Sequence, residues 1–373
     1  MASVLMLLDF IPNQQRAFET FLLRVSHELR AAEWQAIFVF AGEPSEAFGA
    51  ELRAVEIEYR VCSFPMRRRD FEALTQSLAG YSPLVMTNTF ISCFDPYLLK
   101  IKKQLRIRHW LVHDESSGIA SSKAGVMHLL CRLRGAYYGW HIDRVLAVSE
   151  FVARRNVEQS CLPPSRIKVL RNAVDLNRFH PETESATRQG EPRIVFVGQL
   201  IPEKGVRTLL RAMVLLKQRP APVTPTLEIA GRGALEEELR AYVADNGLDH
   251  VRFLGQVLDV AALYRAATVV VVPSEWAEAA AFVIAEAMAC GACVLASDAG
   301  GNPDLLDREE EGGRLFRSGD AYDLAQKLLD LLGDSPARER YRKQARDRAE
   351  RLFRLEDMVQ GFVQELQDVA SND

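Results

Sequence analysis

Residues 193–217 read RIVFVGQLIPEKGVRTLLRAMVLLK. The first five are β-branched or aromatic apart from one arginine, which is typical of a buried strand. From residue 206 the apolar residues recur every three or four positions, as on one face of a helix. A polar loop with glycines at its two ends, Gly198 and Gly205, separates the two patterns. Strand, loop and helix in this order predict one βα unit of a parallel sheet.

The same alternation of short apolar runs and amphipathic stretches extends outward in both directions. Further strands are predicted at 226–230, 251–254, 268–272 and 293–296, and earlier in the chain at 4–8, 36–40, 84–87, 109–113, 144–148 and 167–170. Helices are predicted between them, including one at 279–289, and a charged helical tail follows at 337–369. This order predicts an α/β protein with two Rossmann-like, doubly wound parallel-sheet domains that face a cleft.

A polar stretch at 176–192, which contains two prolines, interrupts the alternation. It is predicted to be a linker. It divides the chain into an N-terminal domain, 1–175, and a C-terminal domain, 193–350. The last stretch, 351–373, is predicted to be a helix that packs back towards the N-terminal domain.

Composition narrows the class of protein. Of 373 residues, 48% are apolar and 26% charged, as in soluble globular proteins, and the net charge of −4 disfavours nucleic-acid binding. The N-terminus lacks the basic segment of a signal peptide, and no apolar run approaches the roughly 20 residues of a membrane span. We therefore expect a cytoplasmic protein, or one peripheral to the inner face of a membrane.

The cysteines do not indicate a scaffold or a metal site. All six are scattered along the chain, unlike those of a disulfide-rich protein. Cys290 and Cys293 form a single CxxC without a second pair or a nearby histidine. The pattern favours two small buried residues at a turn over zinc or redox chemistry, and no metal site is predicted.

Two glutamates follow the predicted strand 268–272. Glu278 is predicted at the start of the next helix, where free backbone N–H groups can bind a diphosphate. Glu286 would lie two helical turns further on, about 11 Å along the axis. That separation suits one carboxylate on a sugar and another on the ribose of the same nucleotide. The spacing alone favours a simpler alternative, an acidic residue complementing the helix dipole and a second glutamate on the surface.

Other strand ends carry residues suited to a nucleotide sugar. Lys204, in the glycine-bounded loop, is placed to meet phosphate charge. Gly231 and Gly233 follow the next strand without the third glycine of the dinucleotide fingerprint, which argues against an NAD enzyme. His113 ends a strand of the first half and could donate to a hydroxyl or to developing charge. Taken singly, each of these is more often an ordinary turn, a solvated lysine or a histidine without chemistry.

In order and spacing, these segments resemble family 4 of the retaining glycosyltransferases, which have the GT-B fold. The matching pieces cover nearly all of residues 145–300 in the family's order: 148–150, 167–175, 198–205, 231–233, 253–255 and the run from Glu278 to Gly291. The resemblance implies an N-terminal domain that binds an acceptor and a C-terminal domain that binds a nucleotide sugar, most commonly a UDP-sugar.

The resemblance also implies a role for each matching residue. Glu278 would contact hydroxyls of the donor sugar and Glu286 would hold the ribose. Lys204 would neutralise the leaving diphosphate, and His113 would lie beside the transferred sugar. The loop that ends at Val257 would receive the base. Further nucleotide-sugar contacts would come from Asn172, Gly198, Gln199, Gly205, Arg232, Gly233 and the backbone of Ala280, Ala281 and Phe282.

The implied reaction is metal-independent sugar transfer with retention of configuration, and no cofactor is expected besides the nucleotide-sugar substrate. The sequence has no Asp-x-Asp motif to hold a cation on the diphosphate. The leaving phosphate would assist the acceptor hydroxyl on the same face of the sugar, so no protein nucleophile is needed, unlike in glycoside hydrolysis by two carboxylates. The acceptor would be a polysaccharide, a glycolipid or a small molecule.

Some neighbours of these residues depart from the family's pattern. Gln199 stands where the family usually has arginine, so one positive charge on the diphosphate is lost, for which Arg207 or Arg232 could compensate. Ala280 and Ala281 replace a Phe-Gly pair. These changes either tune donor choice or mark weakened activity. The alternative function is therefore a GT-B scaffold or nucleotide-sugar-binding protein without turnover; a nucleotide-sugar epimerase is disfavoured by the motif set.

Basic and aromatic residues accompany each other in the first half. Lysines and arginines cluster at 67–69 and 100–108, and the stretch 126–140 mixes leucine, tyrosine and tryptophan with arginine. Such a face could make a peripheral contact with an anionic membrane. A solvated basic face beside an ordinary core helix is the simpler interpretation, and the pattern slightly favours it.

Overall fold

The computed structural model describes residues 2–12, 17–118, 125–181, 191–219, 225–307 and 312–371. They cluster into two compact units. The first unit takes in residues 1–116, 120–171 and 355–373, and the second takes in 117–119 and 172–354. Most of the predicted linker, 182–190, lies outside the described residues.

The first unit is built on a parallel sheet. Its strands in the described ranges are β1 (Ala2–Leu8), β2 (Trp34–Phe40), β3 (Glu58–Val61), β4 (Val85–Thr89), β5 (His109–Asp114), β6 (Arg144–Ala147) and β7 (Ile167–Val169). They pair in the order β3-β2-β1-β4-β5-β6-β7, and every pair is parallel. The strand order reverses between β1 and β4, so the sheet is doubly wound.

Helices connect these strands, as parallel pairing requires. In the described part of the first unit they begin with α1 (Ala17–Ala31), α2 (Glu46–Ala54), α3 (Arg68–Ser77), α4 (Pro96–Gln104), α5 (Val126–His141) and α6 (Glu150–Glu158). The core lies on the faces of the sheet. Trp110 of β5 is fully buried there, and its indole N–H donates to Oδ1 of Asn88 at 2.7 Å.

The second unit repeats the plan. Its strands in the described ranges are β8 (Arg193–Val197), β9 (Thr226–Ala230), β10 (Val251–Gly255), β11 (Val269–Val272), β12 (Val294–Ser297) and β13 (Arg314–Phe316). They pair in parallel in the order β10-β9-β8-β11-β12-β13. The two parallel sheets confirm the predicted α/β fold class.

The helices of the second unit follow the apolar periodicity of the sequence. They are α7 (Val206–Lys217), α8 (Glu236–Asp245), α9 (Val260–Ala266), α10 (Phe282–Ala289), α11 (Asn302–Leu306), α12 (Ala321–Gly333) and α13 (Ser335–Leu352). In α7 the buried residues include Val206, Leu209, Leu210, Met213 and Leu216, the spacing of one helical face. The last helix of the chain, α14 (Leu355–Ser371), clusters with the first unit.

The apolar pattern does not predict two strands at sheet edges. β3 has the sequence EYRV with no buried residue, and β13 has only three residues. An edge strand has a neighbour on one side only, so it can be short and polar where an interior parallel strand must be a buried apolar run.

The helical tail predicted at 337–369 consists of two helices. α13 ends at Leu352, and the carbonyl of the fully buried Phe353 accepts the N–H of Val174 at 2.9 Å. Arg354 forms a parallel bridge with Val174. This extended pairing interrupts the helix, and α14 then packs against α1 and β5 within the first unit.

Candidate functional site

The carboxyl ends of β8 and β11 lie side by side in the second sheet, because the two strands are neighbours although β9 and β10 separate them in the chain. This is the switch point of a doubly wound sheet, where ligands bind. Two loops leave the sheet there. The loop 198–205 carries Lys204, and the loop 273–281 carries Glu278.

Lys204 and Glu278 form a partly buried ion pair. Nζ of Lys204 lies 2.6 Å from Oε1 of Glu278, with side-chain exposures of 31% and 12%. The hydroxyl of Ser274 donates to the same Oε1 at 2.9 Å. Oε2 of Glu278 accepts no hydrogen bond from the described residues. The carboxylate is therefore held by one oxygen and can receive ligand hydroxyls with the other.

The predicted helix start at Ala279 is wrong, since α10 begins at Phe282. A helix from Ala279 would need the carbonyl of Glu278 for the N–H of Phe282. That carbonyl instead accepts the N–H of Gly301 at 2.8 Å. Glu286 therefore lies about 6 Å along the axis from Phe282, one turn into the helix, and the predicted rise of two helical turns between the glutamates does not apply.

Three consecutive backbone N–H groups at the start of α10 have no hydrogen-bond acceptor among the described residues. Within the described residues, the amides of Ala280, Ala281 and Phe282 donate no hydrogen bond. The amide of Ala279 donates to Oγ of Ser117 at 3.0 Å. Free N–H groups at a helix N-terminus combine with the helix dipole to attract an anion. The loop therefore presents anion-binding donors next to Glu278.

The loop that carries Lys204 is braced from both sides. Residues 202–204 form one 3₁₀ turn, and the carbonyl of Glu203 accepts the N–H groups of Glu275 and Trp276 at 2.9 and 3.3 Å. The N–H of Leu200 donates to the carbonyl of Arg232 at 2.9 Å. These bonds tie the loops after β8, β9 and β11 together, so the position of Lys204 is set by backbone contacts.

Gly205 and Gly231 lie where one loop passes too close to the backbone of another for any side chain to fit. Gly205 has φ +67°, and a Cβ there would lie 1.8 Å from the carbonyl oxygen of Pro273. Gly231 has φ +143°, and a Cβ there would lie 1.8 Å from the carbonyl oxygen of Gly198. Both distances are far inside van der Waals contact, so only glycine fits without moving the loops.

Glu286 has a buried partner that the sequence pattern does not reveal. The hydroxyl of Tyr264, whose side chain on α9 is fully buried, donates to Oε2 of Glu286 at 2.9 Å. Burial raises the pKa of Glu286 above its ordinary 4.5, while the hydrogen bond from Tyr264 and the charge of Arg178 act in the opposite direction. The carboxylate is oriented by a tyrosine that itself stays protonated, because burial raises its pKa well above 10.

The remaining predicted residues of the second unit differ in exposure. Gln199 and Arg232 are exposed, Val257 is half-buried and Asn172 is buried. Arg207, one of the two candidates to replace the missing arginine charge, donates two hydrogen bonds of 2.6 Å to the carboxylate of Glu238. Arg207 is therefore already neutralised, whereas the guanidinium of Arg232 lies alongside Gly255.

His113 is buried in the first unit. It is the penultimate residue of β5 and only 1% exposed, with its ring 5.4–6.2 Å from the rings of Phe18, Phe21 and Phe362. Burial lowers its pKa to about 4, despite the nearby charge of Asp114, so the imidazole is neutral at physiological pH. Its predicted role beside the transferred sugar stays a prediction.

Three contributors to this site are missing from the sequence prediction: Ser274, Tyr264 and Ser117. Ser274 is the second residue after β11, and its place between Pro273 and Glu278 is a signal that could have found it. Tyr264 falls in a plain amphipathic helix, and Ser117 lies about 160 residues from the amide it accepts. No local pattern reports contacts over such separations.

The described residues give no further chemical centre. They contain no group of three or more His, Cys, Asp or Glu side chains placed to hold a metal ion. Cys290 and Cys293 are buried thiols outside any disulfide bond, and burial raises the pKa of Cys290 to about 12. Among the helices in the described ranges, none combines the length and apolarity needed to cross a bilayer.

A family described as glycosyl transferases group 1 matches residues 181–348, which is most of the second unit and includes Lys204, Glu278 and Glu286. This region is a group 1 glycosyl transferase domain. Spore coat protein SA of Bacillus subtilis (strain 168) is 28% identical over 243 residues, which are 60% of this chain and 64% of that protein. The phosphatidyl-myo-inositol mannosyltransferase of Mycobacterium leprae (strain TN) is 35% identical over 215 residues, 56% of this chain and 55% of that protein.

A solved structure agrees with the fold of this chain. Anabaena Alr3699/HepE in complex with UDP has a TM-score of 0.78 and 20% identity, and the alignment covers 99% of this chain and 100% of that one. The predicted GT-B fold is thereby confirmed. The chain spans 55–64% of the length of the two curated relatives.

Proposed function

We propose that this protein is a retaining glycosyltransferase that uses a nucleotide-sugar donor, most simply a UDP-sugar. One observation carries the proposal: the Lys204–Glu278 pair lies at the sheet switch point, and the amides of Ala280, Ala281 and Phe282 that follow donate to none of the described residues. The cation and the anion-binding amides suit the diphosphate of a nucleotide sugar, and the carboxylate suits the hydroxyls of its sugar. The UDP complex of Alr3699/HepE supports this choice of ligand.

In the proposed complex the donor spans the loops of the second unit. The diphosphate would accept hydrogen bonds from the amides of Ala280, Ala281 and Phe282 and would lie near the ammonium of Lys204. Oε2 of Glu278 would accept from sugar hydroxyls. Glu286 would accept from the ribose, and the loop at Val257 would receive the base.

The proposed reaction needs no protein nucleophile and no metal. The bond between the anomeric carbon and the β-phosphate oxygen breaks, and its electron pair leaves with the diphosphate. The acceptor oxygen bonds to the same face of the anomeric carbon and loses its proton to the departing phosphate oxygen. Lys204 stabilises the negative charge that grows on the diphosphate, and preorganised charge of this kind is typically a large catalytic term.

A nucleotide-sugar-binding protein without turnover is the second candidate. The observation that favours it is the environment of Gln199. The family arginine is absent there, and Arg207, which could have replaced its charge, is bound to Glu238. The diphosphate would then have one fixed cation fewer during departure.

Calorimetry with UDP, GDP and other nucleoside diphosphates, followed by a donor-hydrolysis and transfer assay, separates the two candidates. We expect one nucleotide to bind and its sugar derivative to be consumed, with consumption lost in Glu278→Ala. Tight binding without consumption of any donor would leave the binding protein as the function. Absence of binding by every nucleotide would refute both candidates.

Glu286→Ala is expected to weaken nucleotide binding more than turnover. The carboxylate is proposed to hold the ribose, which does not change during transfer, so its loss removes binding that is equal in the ground and transition states. We expect the Kd of the nucleotide to rise about 10- to 100-fold, the equivalent of about 1.4–2.8 kcal/mol. Calorimetry and saturation kinetics measure the two effects, and a fall in kcat with unchanged Kd would contradict the assignment.

Donor affinity is expected to fall on acidification. Because burial raises the pKa of Glu286 above 4.5, the carboxyl takes up its proton at a higher pH than an exposed glutamate, and a protonated carboxyl is a poorer acceptor for the ribose. UDP-glucose is the ligand to use, because its phosphodiester, unlike a terminal phosphate, does not titrate near pH 6. Glu286→Gln is the control, and pH dependence that survives in it would have another source.

A further inference from the structure

We propose that α5 of the first unit docks this protein on an anionic lipid surface. This surface lies outside the donor site, and its role does not depend on the proposed reaction. The outward side of α5 is apolar to an unusual degree, with Val126 75%, Leu133 61% and Trp140 78% exposed. Four other large side chains share this exposed surface: Met127, Leu129, Leu130 and Tyr137.

The inward side of α5 explains why its large apolar residues stay outside. The helix packs on the unit through Gly135 and Gly139. A Cβ on Gly135 would lie 2.4 Å from the carbonyl oxygen of Cys161, and a Cβ on Gly139 would lie 2.6 Å from Cδ of Pro163. No leucine or tryptophan fits at such an approach, so rotating the helix cannot bury them. The exposed apolar side is a consequence of how α5 is seated.

Positive charge borders this apolar side. No aspartate or glutamate occurs between Glu115 and Asp143, while Arg132 is exposed on α5 itself. Arg134 is exposed as well, with its guanidinium 4.0 Å from the ring centroid of Phe94.

The basic end of α4 adjoins the end of α5. Nζ of Lys102 donates to the carbonyl of His141 at 3.0 Å, and its charge is partly balanced by Asp143 at 3.7 Å. Burial and the charges of Lys102 and Lys103 lower the pKa of His141. Lys103, whose charge acts on His141, continues the basic border, and Lys100, Arg106 and Arg108 are exposed in the same segment of the chain.

An anionic bilayer fits this arrangement. Leucine, tryptophan and tyrosine insert at the level of the headgroups, while arginine and lysine along the border meet anionic lipid. A second copy of the chain fits less well, because a symmetric contact would bring the same cations of both copies together. The surface is therefore assigned to lipid and not to self-association.

Co-sedimentation of the full chain with vesicles tests the proposal. We expect binding to phosphatidylcholine vesicles that contain phosphatidylglycerol, little binding to phosphatidylcholine alone, and weaker binding at high salt because the border charges are screened. Leu133→Glu combined with Trp140→Glu should weaken binding at least about tenfold, since two apolar anchors are lost and two negative charges face the lipid. Tyr322→Glu, an exposed aromatic on α12, is the matched control and should bind as the unmodified chain does.

A second pair tests the charge contribution. Lys103→Gln combined with Arg132→Gln should lower binding to the anionic vesicles, and Lys343→Gln, an exposed lysine on α13, should not. Unchanged melting temperatures show that the variants are folded. The proposal is overturned if the unmodified chain ignores anionic vesicles at low salt, if the Leu133 and Trp140 variant binds them normally, or if gel filtration shows a dimer that this variant dissolves while vesicle binding is unchanged.

Discussion

Lys204→Ala is expected to lower the rate of sugar transfer at saturating donor by about 10²- to 10³-fold, the loss typical when one preorganised group that stabilises developing charge is removed. The physical reason is the position of Nζ, 2.6 Å from Oε1 of Glu278 and next to amides that can hold the diphosphate. The charge on the leaving group grows during bond cleavage, so the ammonium matters more in the transition state than in the bound donor. We therefore expect kcat to fall further than KM rises.

Steady-state kinetics on three variants make this prediction specific. Lys204→Arg keeps the charge and should recover part of the rate, whereas Lys343→Ala, an exposed lysine of the same unit, should leave it unchanged. Lys204 and Glu278 are in direct contact. Combining Lys204→Ala with Glu278→Ala should therefore lower the transfer rate by less than the product of the two single fold-losses. Turnover of Lys204→Ala at the normal rate, or strictly additive effects, would mean that the pair is not part of the reaction centre.

Gly205→Ala is expected to destabilise the second unit by more than about 3 kcal/mol and to abolish turnover. About 1–2 kcal/mol comes from the left-handed backbone at φ +67°. The rest comes from a methyl group that would lie 1.8 Å from the carbonyl oxygen of Pro273, a clash that only a shift of the loop can relieve. Such a shift moves the adjacent Lys204 relative to Glu278, so activity is lost together with stability.

Gly319→Ala separates the two causes. Gly319 also has a positive φ, +75°, but no atom lies within 4 Å of a Cβ placed there. It should cost only the backbone term of about 1–2 kcal/mol. Thermal unfolding measures both variants, and the expected additional fall for Gly205→Ala is several degrees. Equal melting temperatures for the two variants would show that the clash with the carbonyl of Pro273 does not add to the loss of stability.

The interior strands of both sheets are predictable from the sequence because parallel strands are buried on both faces. β11 consists of four consecutive buried valines, and no other common element uses such a run. The edge strands β3 and β13 escape prediction, because their burial is incomplete and their length is short. The extended residues between α13 and α14 also escape prediction, since nothing in the charged segment around Phe353 resembles a helix stop, and the pairing with Val174 comes from distant sequence.

The residues of the candidate site also divide into those that the sequence predicts and those that it does not. Lys204, Glu278 and Glu286 follow strand ends and are found by their residue type and spacing, and the second unit places the first two in contact. The start of α10 is not predictable from three alanines in a row, which favour a helix. The deciding hydrogen bond, from the N–H of Gly301 to the carbonyl of Glu278, joins the loops that follow β11 and β12, between which α10 and β12 lie in the chain. Tyr264 and Ser117 enter the site through contacts of the same long-range kind.

Periodicity, glycine placement and motif order in the sequence determine two parallel sheets and the match of residues 181–348 to the group 1 glycosyl transferases, because each depends on neighbours within a few residues along the chain. Tertiary structure alone decides which oxygen of Glu278 is bound, which amides ahead of α10 stay free and which arginine is already neutralised. It also decides that α5 turns its glycines inward and its leucines outward. These outcomes depend on atoms brought together from distant segments, and hydrogen bonding and packing select them only once the sheets have formed.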